Sequence, residues 1–412
     1  MSASYKYICT ECSKEFTADK IESNLLYLCP HCGKSEKNKP LVGVLNIIYD
    51  YEQIKKTYTR EFFLSLEAGK IWLYPMLWPI NFSEFDENIL QSVSLPGNQI
   101  INVNYKNQSL LLQDETRNPT HSYKDRATIA LALKAKNLVI SEISAASTGN
   151  AGSSLAGICA RLGMKSHVFV PKNIPEAKRI QIQSYGSNIH VVDGDYDEAF
   201  DLCLEISKKN KWYNRNTAYN PLTIEGKKSA AFDIFINTKG NIPDVIYIPV
   251  GDGVIISGIY KVFSELNKLG LINKIPRLIA VQAEGSSAVV DYIGNNRFEY
   301  KPASTIADSI SAGAPRNLFL AAMSVRETGG EGIKVSDQEI LAAQKELAER
   351  FGILVEPSCA AAFAGFSKNN NLLNGSERVM LLLTGSGLKD FNSLKIWNSP
   401  VQIESAEKLR TL

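Results

Sequence analysis

The chain has 412 residues, of which 44% are hydrophobic and 21% are charged. This composition is typical of a globular protein, and it excludes a disordered, collagen-like or coiled-coil chain. The 45 lysines and arginines nearly balance the 43 aspartates and glutamates, so we expect neither a nucleic acid nor a membrane as partner. No apolar run reaches the length of a membrane span, and the first residues lack the apolar stretch of a secretory signal. We therefore expect a cytoplasmic protein.

Four cysteines near the N-terminus form two Cys-x-x-Cys pairs, Cys9 with Cys12 and Cys29 with Cys32. Each two-residue gap folds into a tight turn that aims two thiolates at one ion, and two such turns complete a tetrahedron. The spacing predicts a structural zinc ribbon over residues 1–45, because four thiolates leave no open coordination position for catalysis. The other cysteines lie in apolar helical patterns, where we expect buried thiols and no disulfide framework: Cys159, Cys203 and Cys359.

The remaining pattern predicts an aromatic-rich segment over residues 50–105 that wraps around a body of alternating strands and helices. The predicted strands are Leu110–Gln113, Ile143–Ala146, Ser166–Val170, Ile189–Val192, Val245–Pro249, Leu278–Gln282 and Val379–Leu383. The predicted helices are Lys124–Lys136, Ala151–Leu162, Asp197–Lys208, Gly226–Ile236, Val254–Leu269 and Asp337–Phe351. A ligand site is expected beside the carboxyl ends of the strands, where strand-to-helix turns lie.

One such turn, Asn118-Pro-Thr-His-Ser-Tyr-Lys-Asp-Arg126, places Lys124 where a helix begins. The helix dipole is positive at that end, so it disfavours a charged lysine and lowers the pKa of the amine. A lowered pKa suits a lysine that acts as a nucleophile toward a carbonyl. Lys124 is therefore the candidate catalytic residue.

Three further turns are rich in glycine and hydroxyl side chains. Ala146–Ser154 contains Asn150, whose amide can donate to an oxygen beside a helix N-terminus. Pro249–Gly258 runs through two glycines into a helix, and its successive N–H groups would form a nest for a phosphate. Leu383–Asp390 offers the hydroxyl of Thr384. With no nucleotide-binding pattern present, a phosphate nest and a nucleophilic lysine point to a phosphorylated carbonyl cofactor.

In this order the four segments resemble the threonine synthase family of fold-type II pyridoxal-phosphate (PLP) enzymes. The resemblance runs from the cysteine pairs to the Thr384-Gly-Ser-Gly-Leu-Lys-Asp390 ending. It implies a two-domain, three-layer α/β/α fold like that of the tryptophan synthase β chain, behind the zinc ribbon. The large PLP-binding domain would comprise residues 46–115 and 211–412, and a smaller α/β domain, residues 116–210, would carry the PLP lysine. The family also suggests a homodimer.

By the same resemblance, Lys124 would hold PLP as a Schiff base and serve as general base and acid. Asn150 would bind the 3′-oxygen of the cofactor, and Thr384 would contact its pyridine nitrogen. The phosphate cradle would consist of consecutive residues: Gly251, Asp252, Gly253, Val254 and Ile255. The candidates for binding the substrate's phosphate are Ser122, Thr148, Arg161 and Asn216.

The sequence departs from the family pattern in three places. The usual Gly-Glu-Gly-x-Thr-Pro-Leu segment is replaced by Ser94–Val103, and the cradle reads Gly-Asp-Gly-Val, part-way towards that of the dehydratases. Many threonine synthases have an arginine where this chain has Thr223. Losing a guanidinium removes a bidentate clamp for phosphate, so we expect the substrate to differ if that arginine holds its phosphate.

The resemblance implies a PLP-dependent lyase that converts O-phospho-L-homoserine and water into L-threonine and phosphate. Two sibling activities on the same cofactor remain open: β-replacement on O-phosphoserine, as in cysteate synthesis, and deamination of threonine or serine. An alternative from another class is a zinc-ribbon binding protein with a catalytically silent α/β body. That alternative predicts no visible absorbance from an imine of the cofactor.

Overall fold

The computed structural model describes residues 4–106, 108–147, 149–172, 174–194, 196–369, 376–399 and 403–404. Its strands are β1 (Tyr5–Cys9), β2 (Glu15–Thr17), β3 (Leu45–Tyr49), β4 (Ile100–Tyr105), β5 (Gln108–Asp114), β6 (Glu142–Ala146), β7 (Lys165–Pro171), β8 (Asn188–Val192), β9 (Tyr213–Asn214), β10 (Val245–Pro249), β11 (Arg277–Ala283), β12 (Gly332–Val335) and β13 (Val379–Leu383).

Its helices are α1 (Ala18–Glu22), α2 (Tyr51–Thr57), α3 (Arg60–Leu64), α4 (Glu87–Ser92), α5 (Lys124–Asn137), α6 (Asn150–Arg161), α7 (Glu176–Ser184), α8 (Tyr196–Asn210), α9 (Leu222–Asn237), α10 (Val254–Lys268), α11 (Ala288–Asn295), α12 (Leu318–Glu327), α13 (Asp337–Phe351), α14 (Pro357–Asn369) and α15 (Phe391–Trp397). The part of the chain described has no helix long and apolar enough to cross a membrane.

The larger sheet has the order β12-β11-β10-β13-β5-β4, in which only β4 runs antiparallel to its neighbour. Its central strands are apolar on both faces, as expected for parallel strands covered by helices on each side. In β13, for example, Val379, Leu381 and Leu383 enter one hydrophobic core, while Met380 and Leu382 enter the other. Helices α5, α9 and α10 contribute to one of these cores and α13 and α14 to the other, which gives three layers.

A second sheet, with the order β8-β7-β6-β9, is entirely parallel. Helix α6 covers one face of it and α8 covers the other, where Phe169 packs against Phe200 and Cys203. Two sheets of this kind agree with the predicted fold class. The domain boundaries given above remain a prediction.

The N-terminal segment forms a small antiparallel sheet, β2-β1-β3, next to α9 and α10. Leu41 and Val44 join Ala218, Ile224 and Val254 in one buried cluster. The ribbon therefore packs directly against the first turns of α9 and α10 rather than projecting from the body.

The predicted strands and helices of the body all exist, with shifts at their ends. The largest shift is in α9, which begins at Leu222, four residues before the predicted start. The predicted capping box of α13 is present at Ser336 and Glu339, and Gly352 ends that helix with φ +68°. In the wrap-around segment, Tyr74 stacks on Phe232 at 4.0 Å between ring centroids.

Candidate active site

The candidate site lies where three adjacent parallel strands end. Lys124 follows β5, Thr384 follows β13, and Gly251 follows β10. They line one cleft of about 490 Å³. Its lining residues are Lys124, Thr217, Lys227, Pro249, Val250, Gly251, Asp252, Gly253, Val254, Ile255, Ile256, Ser309, Ile310, Glu356, Ser358 and Thr384. The predicted position beside the carboxyl ends of the strands is therefore where the structure has its cleft.

The residues around Lys124 hold the start of α5 in place. Thr120 donates to Asp125 through its backbone N–H, at 2.7 Å, and through its hydroxyl, at 2.5 Å. Arg126 makes buried ion pairs with Glu115 and Asp233, each at 2.7 Å. The contacts of Thr120, Asp125 and Arg126 thus fix the turn before α5. The Lys124 amine, in contrast, has no hydrogen-bond or ion-pair partner among the described residues.

The pKa of Lys124 is lowered, in the direction that the sequence predicts but for a different main reason. Withdrawal from water contributes most, and the positive charges of Arg215 and Lys178 add to it. The carboxylates of Glu356 and Asp252 oppose the shift. The amine therefore gives up its proton more readily than a surface lysine, which is the property that a nucleophile or general base needs.

The turn between β10 and α10 has the shape of an anion nest. Gly253 has φ +86°, and a Cβ there would lie 2.5 Å from the Cβ of Ala321. A Cβ on Gly251 would lie 2.9 Å from the Cα of Ile310, so neither glycine can be replaced without displacing backbone or side chain. The Asp252 carboxylate does not cap α10, because it accepts a hydrogen bond from the backbone N–H of Arg316 at 3.0 Å. The first residues of α10, Val254–Ile256, line the cleft, and no side chain caps this end of the helix, which leaves its first N–H groups available to an anion.

Asn150 is hydrogen-bonded to Glu356, which lines the cleft. Its Nδ2 donates to the two carboxylate oxygens of Glu356, at 2.7 and 3.0 Å, and to the Ser309 hydroxyl at 3.1 Å. Its Oδ1 is buried without a partner. Thr384 is buried, and its carbonyl accepts from the backbone N–H of Tyr123, which joins the end of β13 to the start of α5.

Two buried cations in this region were not singled out by sequence reasoning. Lys227 lines the cleft, and no described residue accepts a hydrogen bond from its amine. Arg215 lies behind Thr217, with 3.4 Å between its Nη1 and the Thr217 hydroxyl, and its Nη2 has no partner. Lysine and arginine are rarely buried unless paired, so burial without a partner would have marked both residues as functional. The sequence does not show which lysines and arginines are buried.

The predicted substrate-binding residues are not brought together as a group. Ser122 and Asn216 are buried and carry an unpartnered hydroxyl and an unpartnered Nδ2, but neither lines the cleft. Thr148 lies outside the described residues. Arg161 is a correction: it is exposed in the last turn of α6, where it donates to the carbonyl of Ser92. Because α6 begins at the site and a helix rises about 1.5 Å per residue, its far end points away from the cleft.

The four ribbon cysteines form one cluster, with all sulfur atoms within 4.8 Å of one another. The Sγ atoms of Cys9 and Cys32 are 3.4 Å apart, and those of Cys12 and Cys29 are 3.7 Å apart. Zn–S bonds of about 2.3 Å in a tetrahedron place sulfur atoms about 3.8 Å apart, so the cluster has the size that zinc requires. All seven cysteines are free, and the three outside the ribbon are fully buried, as predicted.

The chain is similar to known enzymes over almost its full length. The model of the pyridoxal-phosphate dependent enzyme family matches residues 98–385. The chain is 33% identical to a threonine synthase from Methanocaldococcus jannaschii over 408 residues, which cover 96% of each protein. It is also 33% identical to a threonine synthase from Methanosarcina acetivorans over 394 residues, covering 94% of this chain and 92% of the relative.

Solved structures give the same fold at lower identity. Maize serine racemase superposes with a TM-score of 0.61 at 20% identity, covering 70% of this chain and 88% of that one. O-ureido-L-serine synthase superposes with a TM-score of 0.64 at 15% identity, covering 80% of this chain and all of that one. These findings confirm the predicted fold class, and the chain belongs to the pyridoxal-phosphate-dependent enzymes and, among them, to the threonine synthase family.

Proposed function

We propose that this chain is a PLP-dependent threonine synthase, a lyase that converts O-phospho-L-homoserine and water into L-threonine and phosphate. The observation that carries the proposal is the amine of Lys124, which has no partner among the described residues and lines the same cleft as the glycine turn Gly251–Ile255. Full-length similarity to proteins named threonine synthases supports the choice among PLP reactions.

The residues of the cleft fit PLP. The nest formed by Gly251–Ile255 is suited to its phosphate. Asn150 contacts the cleft-lining residues Glu356 and Ser309 through its Nδ2, the group that could donate to the cofactor's 3′-oxygen, and its unpartnered Oδ1 can accept from a donor of the ligand. The Thr384 hydroxyl would face the ring nitrogen as a neutral partner. When bound, PLP withdraws electrons from the carbon beside the substrate's amino group.

Lys124 has two roles in this proposal. Its amine would hold the cofactor through the aldehyde, and the same Nζ, when free, would remove and return protons at Cα and Cβ of the substrate. Its lowered pKa favours the neutral amine that both roles need. Phosphate leaves from Cγ, and water adds at Cβ.

We propose Arg215 as a binder of the substrate's phosphate, because Thr223 cannot replace the arginine common in the family. The Thr223 hydroxyl is already used: it donates to the carbonyl of Asn220 at 2.7 Å and accepts from the backbone N–H of Ala218 at 3.2 Å. Arg215 supplies a guanidinium with one free edge. Burial lowers the pKa of Arg215 to about 10, and a phosphate dianion beside it would offset that effect. Ser122, Thr148 and Asn216 remain candidates for the same role.

We further propose that the cysteine cluster holds structural zinc and that the protein works in the cytoplasm. The sulfur spacing supports the zinc. Seven free cysteines, four of them arranged as metal ligands, favour a compartment in which thiols stay reduced.

The test is a panel of separate incubations with O-phospho-L-homoserine, with O-phospho-L-serine plus sulfite, and with L-threonine, in which phosphate and threonine are measured. We expect phosphate release together with threonine formation from the first substrate alone. Turnover of only the second or third would replace the proposal with the corresponding sibling activity. Borohydride reduction followed by peptide mass analysis should locate the cofactor on Lys124.

Variants sharpen this panel. Lys124→Ala should abolish turnover and cofactor trapping while leaving the fold intact, whereas Lys136→Ala, on the same helix but at its far end, should retain both. Arg215→Gln should raise the KM for O-phospho-L-homoserine more than it changes kcat, and the exposed Arg161→Gln serves as its matched control. Multiple turnover by Lys124→Ala would exclude the covalent role of this lysine.

A further inference from the structure

Lys227 has a position fixed by three close contacts. Its carbonyl accepts a hydrogen bond from the Tyr123 hydroxyl at 2.7 Å, next to Lys124 in the chain. On α9, a Cβ at the preceding Gly226 would lie 2.4 Å from the carbonyl oxygen of Arg126, so α9 and α5 touch there. On α10, a Cβ at Gly258 would lie 3.0 Å from the Cβ of Lys227. Lys227 is therefore wedged between the starts of α5 and α10.

The next residue, Lys228, shows how buried lysines in this helix are normally satisfied. Lys228 is paired with Glu225 at 2.7 Å and with Glu265 at 3.2 Å, and it donates to the carbonyl of Leu77 at 2.7 Å. Lys227 is equally buried, at 2% exposure, but has no such partner among the described residues. Its free surface faces the cleft that Gly251–Ile256 line. A buried ammonium with no protein partner marks a place for an anionic ligand.

The charge around the nest points to the same ligand. Asp252 stands in the turn itself, and a carboxylate there repels a phosphate dianion. The N–H groups of one helix start supply only about half a positive charge. A phosphate in this nest therefore needs a cation from elsewhere. Lys227, on the side of α10 that packs against α9, lines the cleft and has no partner for its amine in the part of the chain that the structure describes.

We propose that the amine of Lys227 is a direct ligand of the cofactor's phosphate. The phosphate would then be held by the N–H groups of the turn and, in addition, by one charged side chain from α9. This inference rests on the proposed function, because it needs PLP as the ligand of the cleft. Burial and the charges of Lys124 and Arg215 lower the pKa of Lys227. The negative charge of the phosphate opposes these effects and favours the ammonium form.

The test compares the binding of PLP with that of pyridoxal, which lacks the phosphate. Cofactor-free wild type, Lys227→Gln and Lys227→Met are titrated with each compound, and absorbance gives Kd. A hydrogen bond to a charged group is worth about 10- to 100-fold in affinity, so we expect Kd for PLP to rise by about that factor in both variants. Kd for pyridoxal should stay close to that of wild type. Lys136→Gln, which removes a lysine at the far end of α5, should change neither.

Three results would overturn the inference: equal weakening of PLP and pyridoxal, an unchanged Kd for PLP, or failure of both variants to fold. An unchanged Kd for PLP with a raised KM for O-phospho-L-homoserine would assign Lys227 to the substrate's phosphate instead. If wild type binds neither compound, the proposed function itself fails, and this outcome differs from the other four. The ratio of the two Kd values thus separates a phosphate ligand from a merely structural lysine.

Discussion

Lys227 and Lys228 allow a direct measurement of what an unpaired charge costs the cofactor-free protein. Both lysines are buried on α9, but only Lys228 has carboxylate partners, Glu225 and Glu265. Replacing either one with methionine removes one ammonium and keeps a side chain of similar length. The two variants therefore differ in what they leave behind.

Lys227→Met should raise the free energy of unfolding by about 1–3 kcal/mol, because an unsatisfied buried polar group costs about that much. Lys228→Met should lower it by about 3 kcal/mol, the loss expected when one partner of a buried ion pair is removed. The loss stays at the lower end of the usual range because Lys261 still contacts Glu225 at 2.8 Å and Glu265 at 3.4 Å. Opposite signs at adjacent positions of one helix would follow from pairing alone.

The stability difference between wild type and Lys227→Met should depend on pH, because the pKa of Lys227 is lowered in the folded protein. Its ordinary value is 10.5, and burial is the largest cause of the shift. Between the lowered pKa of the folded protein and 10.5, the unfolded chain binds more protons, so wild-type stability rises with pH. The advantage of Lys227→Met should therefore be complete below the folded pKa and disappear as the pH approaches 10.5.

Urea unfolding of the cofactor-free proteins at several pH values tests both the sign and the slope. If Lys227→Met destabilises the protein as Lys228→Met does, the Lys227 amine is satisfied without a ligand and the reasoning is refuted. A stability gain that does not change with pH would show that the gain comes from packing rather than from charge. With saturating PLP, the stability gain of Lys227→Met over wild type should shrink by about 1.4–2.7 kcal/mol, the equivalent of the 10- to 100-fold weaker binding of PLP by the variant.

Three further perturbations have expected outcomes. Gly253→Ala forces φ +86° on a residue with a Cβ and drives it against Ala321; we expect a loss of about 1–3 kcal/mol in unfolding experiments, with weaker PLP binding by titration. Arg126→Met leaves Glu115 and Asp233 buried without their cation, and a loss of about 3–5 kcal/mol is expected from urea unfolding; a loss below 1 kcal/mol would contradict this picture of the network. Treatment with a chelator, to remove the proposed metal from the cysteine cluster, should weaken PLP binding a few-fold. Titration measures this affinity, and re-addition of zinc is the control. An unchanged PLP affinity would show that the ribbon does not support the nest.

The strands, the helices and the positions of the glycine turns could be predicted because they depend on local sequence. Val379–Leu383 is apolar throughout, and such a run forms a strand covered on both faces wherever it lies in the chain. The position of Lys124 at the start of α5 could be predicted for a similar reason, because the turn before this helix is held by contacts within its own motif, between Thr120 and Asp125; the catalytic role of Lys124 stays a prediction. Local sequence patterns were therefore sufficient to predict the fold class and the position of Lys124.

Two charged residues of the cleft, Lys227 and Glu356, could not be predicted, because their places in it depend on which helices meet. Lys227 and Lys228 are adjacent lysines, yet Lys228 pairs with carboxylates and Lys227 faces the cleft. That difference arises from the packing of α9 between α5 and α10 at Gly226 and Gly258. Arg161 shows the same limit: it lies in the last turn of α6, where it donates to the carbonyl of Ser92 and does not line the cleft.

The ribbon shows how far such packing extends the site. The backbone N–H of Leu41 donates to the carbonyl of Arg316, and the guanidinium of Arg316 donates to the carbonyls of Glu36 and Lys39. The backbone N–H of the same arginine donates to Asp252 in the phosphate nest. A segment just after the second cysteine pair is thus two hydrogen bonds away from the turn that would hold the cofactor. We expect the cysteine cluster to support the nest through Arg316, because the hairpin closed between Lys34 and Val42, directly after the second cysteine pair, is the one that fixes this arginine.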